Sequence, residues 1–163
     1  MLTPNDAIVH NLTASKQMLL WFVGDLTPAE YLHRPAAGVN CVAWLLGHLT
    51  LSERRVLTTV LGVTDLPPLP DGFERRFGRD EGCPQAAGFG DVSGLAAEYA
   101  RTRDLLIDTV KGMSPAALAG PLPFSHPRFK TAGEAANFMS VHAAMHAGQI
   151  SVIRRSLGRP PLV

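Results

Sequence analysis

The sequence predicts an all-α protein, a four-helix bundle with a long crossover between helices two and three. Three observations carry this. Four runs of roughly 20 residues place apolar side chains at helical spacing. Capping residues open these runs, and glycine or paired prolines close them. Between the second and third runs lies a Pro- and Gly-rich connector, from Val63 to about Gly90. A helix of about 20 residues is ~30 Å long. At ~3.3 Å per residue the connector covers that distance with length to spare, so helices two and three can run parallel.

Bulk properties narrow the function classes. A chain of 163 residues suits one domain, residues 1–163, with a sizeable core. Its net charge of +1 gives no general pull toward nucleic acid or membrane. The longest apolar run, Met18 to Val23, is too short to span a bilayer. The N-terminus lacks a basic and apolar signal region. Cys41 and Cys83 are far apart and form no paired motif, which fits a reduced, cytoplasmic protein.

Helix one opens at Thr3-Pro4-Asn5-Asp6, with a cap, a proline for the first turn and early negative charge. Ile8, Leu12, Leu19 and Phe22 form its inner stripe, and Gly24 ends it. His10 falls opposite that stripe and is expected in solvent. Thr27-Pro28-Ala29-Glu30 is a capping-box pattern that opens a short turn. His33 follows in a connector and is also expected in solvent. Helix two runs from about Asn40, as cap, to Leu61, with Gly62 as terminator. Val42, Leu45, Leu49, Val56 and Val60 form its stripe. His48 sits at the edge of that stripe, with Trp44 one turn before it. Taken alone, His48 reads as an ordinary helix histidine, and Trp44 as a core residue.

In the connector, Phe73-Glu74-Arg75-Arg76-Phe77 forms one amphipathic turn. Arginine beside aromatics is also a nucleic-acid pattern. Here Asp71, Glu74, Asp80 and Glu81 offset the arginines, so the turn reads as a loop pinned to the bundle by Phe73 and Phe77. Helix three spans about Val92 to Lys111, with Leu95, Tyr99, Leu106 and Val110 inward. Glu98, Arg101, Asp104 and Asp108 form its solvated side. Ser114-Pro115-Ala116-Ala117 starts another short turn. Pro121 to Pro127 is non-helical, and His126 within it is expected at the surface.

Helix four, Thr131 to Leu157, begins with a further capping box, Thr131 to Glu134. Gly158 and Pro160-Pro161 stop it, and Arg154 and Arg155 complement its dipole. Phe138, His142, His146, Gln149 and Ile153 lie along one stripe expected to face the core. Residues four apart share a face, so His142 and His146 point the same way. Buried imidazoles need partners. A shared metal ion satisfies both, and separate carbonyl or hydroxyl partners do so as well. Ala143 stands where a zinc protease has its Glu, so that reading is excluded. Ser140, Ala143, Ala144, Ala147, Gly148 and Ser151 are all small. They are expected on the outer side, where they allow a second helix to approach and form a homodimer.

Two segments, Gly38-Val39-Asn40-Cys41-Val42-Ala43-Trp44-Leu45-Leu46-Gly47-His48-Leu49 and His142-Ala143-Ala144-Met145-His146-Ala147-Gly148-Gln149-Ile150, resemble the DinB/YfiT-like family of metal-binding four-helix bundles. The resemblance covers nearly the whole chain, and it places the family's metal ligands on His48, His142 and His146. Three imidazoles leave positions open for water or substrate, as in catalytic sites. Nitrogen ligands suit Zn, Ni, Cu or Fe. Characterised relatives include transferases and isomerases that use a low-molecular-weight thiol, such as bacillithiol, mycothiol or glutathione. The resemblance therefore implies a thiol cosubstrate held at the metal as thiolate, with no catalytic side chain assigned. The alternatives are a non-catalytic metal-binding stress or interaction protein, a metal-dependent hydrolase, and a metal-free helical binding protein. Gln149 is a candidate to orient a ligand, Arg55 to bind a substrate carboxylate, and Trp44 to wall the pocket. Cys41 is two turns, about 10 Å, from His48 and cannot share the ion.

Overall fold

A computed structural model describes residues 3–78, 88–122 and 124–162. Asp80, Glu81, Cys83 and Pro123 lie outside the described residues. The fold is all-α. Four long helices are α1 (Pro4–Val23), α3 (Val42–Arg55), α5 (Leu95–Gly112) and α7 (Ala132–Ser156). Among the described residues, three short ones, α2 (Pro28–Tyr31), α4 (Phe73–Phe77) and α6 (Pro115–Ala119), lie in the connections.

The caps show why the helices start where they do. Thr3 accepts from the Asp6 N–H while the Asp6 side chain accepts from the Thr3 N–H, and Thr27 with Glu30 repeats this reciprocal box. At α7 the box is half complete. Thr131 accepts from the Glu134 N–H, but the Glu134 carboxylate reaches past it to the Lys130 N–H at 2.6 Å. Helix α3 starts later than expected. Cys41, fully buried, is its N-cap and makes no side-chain cap bond, so Asn40 does not cap it. Its end differs as well, because Val56–Val60 forms a π-helical turn instead of regular helix. The hydroxyls of Thr58 and Thr59 donate back to the carbonyls of Arg54 and Arg55, which competes with regular α-helical bonding. Gly62, at φ +71°, then closes the chain in the left-handed region.

Contacts give the helix directions. Ile8 lies against Gly133, Asn11 donates to Asn137 and Arg154 donates to the Phe22 carbonyl, so α1 and α7 run parallel. Asn5 binds the carbonyls of Val110 and Met113, and Lys16 pairs with Asp104, so α1 and α5 run antiparallel. One apolar cluster joins Leu45, Leu46 and Leu49 to Leu95 and Tyr99. The other joins Val56 and Leu57 to Leu106 and Val110. The order is the same along α3 and α5, so these two helices run parallel. Within that connection Phe77 seats its ring directly on Gly47, where an added Cβ would lie 2.2 Å from the ring.

The small residues of α7 are distributed differently from the expectation. Ser140, Ala143 and Ala147 are buried, not outward. Their small volume lets α7 pack closely into the bundle. The outer face carries Val141, Ala144, Met145, Gly148 and Val152 instead, with Met145 and Val152 each 57 % exposed. Gln149 is exposed, and Phe138 and His142 are half-buried, so the expected inner stripe lies along the edge of the core.

A buried polar group crosses the core. Arg103 is fully buried and donates to the Glu53 carboxylate of α3, to Ser15 Oγ and the Leu12 carbonyl of α1, and to the Met139 carbonyl of α7. It thereby ties all four long helices together. Burial pushes the Glu53 carboxyl up, and the adjacent Arg103 charge pulls it down. Burial also pushes the Tyr99 hydroxyl up, helped by the Glu53 charge.

Candidate metal centre

Helix α3 contributes His48, and α7 contributes His142 and His146 one turn apart. Their Nε2 atoms converge. The His142 Nε2 lies 3.3 Å from that of His48 and 3.0 Å from that of His146. One ligand nitrogen from each residue falls within 4.8 Å of the others. With metal–nitrogen bonds of 2.0–2.1 Å, tetrahedral ligands sit roughly 3.3 Å apart, so this spacing suits a single small cation.

The donor chemistry points the same way. An imidazole nitrogen carries either one proton or one lone pair. The His142 Nε2 therefore cannot hydrogen-bond to both neighbours in the neutral state. A shared cation would accept lone pairs from all three. Protonating the rings instead would crowd positive charges inside a mostly buried cluster, which is costly. His48 and His146 are 6 % and 8 % exposed, while His142 is half-buried and so keeps part of its surface in solvent. Three nitrogen donors with one side toward solvent leave room for a further ligand.

Neighbouring side chains fix each ring. Trp44 stacks on His48 with centroids 4.7 Å apart and planes within 4°. Gln149 places its Oε1 2.8 Å from His146 Nδ1. That contact holds the proton on Nδ1 and leaves the Nε2 lone pair aimed inward. Phe138 stacks on His142 at 6.1 Å and 15°. Beyond Phe138 comes Phe129, then His126, whose ring stacks on Phe129 at 4.5 Å.

The profile of the DinB superfamily matches residues 11–150, a span that contains all three histidines. The chain belongs to the DinB superfamily. No curated protein matches it. Among the described residues, no helix of this DinB chain is long and apolar enough to cross a membrane.

The other candidates in this DinB chain fall as follows. Trp44 is buried and forms a wall against His48, and Gln149 contacts His146 directly. Arg55 is exposed, two turns or about 10 Å further along from His48. His33 is not simply solvated, because its Nε2 lies 2.9 Å from Ser156 Oγ, at the end of α7. His126 is not a plain surface residue either. Its Nδ1 accepts from the N–H groups of Arg128 and Phe129 and shapes the loop before α7. The Glu53–Arg103 pair was missed by the sequence reading. The available signal was register: Arg103 follows Tyr99 by four and precedes Leu106 by three on the inward stripe.

Proposed function

We propose that this chain is a divalent-metal-dependent enzyme that uses a low-molecular-weight thiol, with His48, His142 and His146 as the ligands. The reading rests on the convergence of three Nε2 atoms on one point. When bound, the ion would lower the pKa of a coordinated thiol or water, or polarise a carbonyl. The chain's own residues orient and shield. Gln149 keeps the His146 lone pair directed inward, and Trp44 covers one face of His48. Half-buried His142 marks the side from which small molecules enter. Zn, Ni, Cu and Fe all suit the donor set, and the proposed setting is the cytoplasm. The test incubates metal-loaded protein with bacillithiol, mycothiol or glutathione and a generic electrophile. Thiol-dependent turnover above that of a His142→Ala variant is expected. Equal rates would remove the assignment.

One observation favours a second, non-catalytic reading. The ligands come from two helices, so an ion would tie α3 to α7. In that case the metal raises the melting temperature and accepts no thiol.

The same reading includes a homodimer. Val141, Ala144, Met145, Gly148 and Val152 give α7 an uncharged outer face about three turns long, of the kind that marks interaction surfaces. Met145→Lys should convert a dimer to a monomer in light scattering at micromolar concentration. A wild-type monomer under those conditions would end the claim.

A further inference from the structure

We propose that Arg128 is the anion-binding residue of the histidine centre, and that the thiol cosubstrate carries a carboxylate. The inference rests on the thiol reading above and adds the chemical class of the ligand.

The described residues on either side of Arg128 are tied together ahead of α7. Leu122 N–H donates to the Lys130 carbonyl, Ala132 N–H donates to the Gly120 carbonyl, and Pro121 bridges to Thr131. Between these ties, the His126 Nδ1 accepts from the backbone of Arg128 and so fixes where that residue leaves the chain. The Arg128 guanidinium then lies over two rings, 5.6 Å from Phe129 and 5.1 Å from Phe138. Phe138 in turn stacks on His142, with centroids 6.1 Å apart. The two legs keep the guanidinium carbon within about 11 Å of the His142 ring.

Position and charge combine here. Stacking on aromatic faces restrains a side chain that otherwise has many rotamers, so less entropy is lost when it binds. Among the described residues, no carboxylate forms an ion pair with exposed Arg128, as with exposed Arg55 and Arg155; of these three, Arg128 lies over aromatic rings, one of them stacked on His142. A guanidinium presents paired N–H donors that match a carboxylate. A thiol with its sulfur at the histidine centre and its carboxylate a few bonds away would span from His142 to Arg128. Phe138 would lie beneath the connecting atoms.

The test uses the full-length chain loaded with Co(II), whose absorption reports thiolate coordination. Mercaptopropionate and mercaptohexanoate are titrated against mercaptopropanol and mercaptohexanol, which lack the charge. For wild type, at least one acid should bind about tenfold more tightly than its matched alcohol, since a charge-assisted contact is at stake. Arg128→Ala should abolish that preference while leaving the alcohols' affinity and the cobalt content unchanged. Arg128→Lys should restore part of it. The preference should also shrink with added salt. The proposal is overturned if wild type shows no preference, if Arg128→Ala retains it, or if Arg55→Ala removes it instead. If cobalt binds but no thiol gives a coordination band, the thiol reading itself fails and this inference with it.

Discussion

Each histidine is held by a neighbour with a specific task, and each task predicts a different loss. Gln149 secures the His146 tautomer through a 2.8 Å contact. Removing such an outer contact typically weakens metal binding 10–100-fold. Gln149→Ala should therefore lower affinity by about that factor in a competitive chelator titration, with little change in helicity. Unchanged affinity would show that the contact is incidental. The pair His142 and His146 was legible from spacing alone. His48 was not, because it lies 94 residues from His142 and its helix reads as ordinary core. Only the family resemblance placed it with the pair. Arg128 was silent because loop sequence does not disclose which ring a guanidinium will cover.

At the level of elements, the α3 backbone is packed as tightly as its side chains. Phe77 sits where Gly47 lacks a side chain, beside His48. Gly47→Ala overfills this contact, a change that usually costs about 1–3 kcal/mol. Its midpoint in chemical denaturation should fall accordingly, and Phe77→Leu in the same chain should recover part of the loss. No loss in the single variant would contradict the packing. Sequence patterning located all four long helices, since period and caps are local properties. It misjudged the faces of α7 because small residues suit a protein exterior and a close helix–helix contact equally well. It also missed the π turn, where two threonine hydroxyls compete for carbonyls that a regular helix would use.

Across the whole molecule, two polar networks connect the helices, and they respond to different perturbations. Arg103 joins all four long helices from a fully buried position. Breaking a buried pair from one side costs about 3–5 kcal/mol, while replacing both partners with apolar groups is often neutral. Arg103→Met should be strongly destabilised in a urea titration, and adding Glu53→Leu should restore much of the loss. Nearer the surface, Arg154 and Arg159 clamp the end of α7 to Asp25 and Glu30. Glu30 is held at about 2, against an ordinary 4.5, chiefly by Arg159 and then by the Thr27 N–H. The Arg154 hydrogen bond holds Asp25 low too. Both carboxyls have depressed folded values, so both contribute stability that is lost as pH falls; for Glu30 the contribution is full above pH 4.5 and fades toward about 2. Arg159→Ala should flatten that part of the stability–pH curve. An unaltered slope would place the acid sensitivity elsewhere.

The measurement that bears most directly on the centre is elemental analysis of protein purified without chelator, compared with His48→Ala. One divalent ion per chain in the wild type, lost in the variant while its helical circular dichroism persists, is the expected result. Equal metal content in both proteins, or none in either after exposure to Zn, Ni, Cu and Fe, would contradict a centre built from His48, His142 and His146.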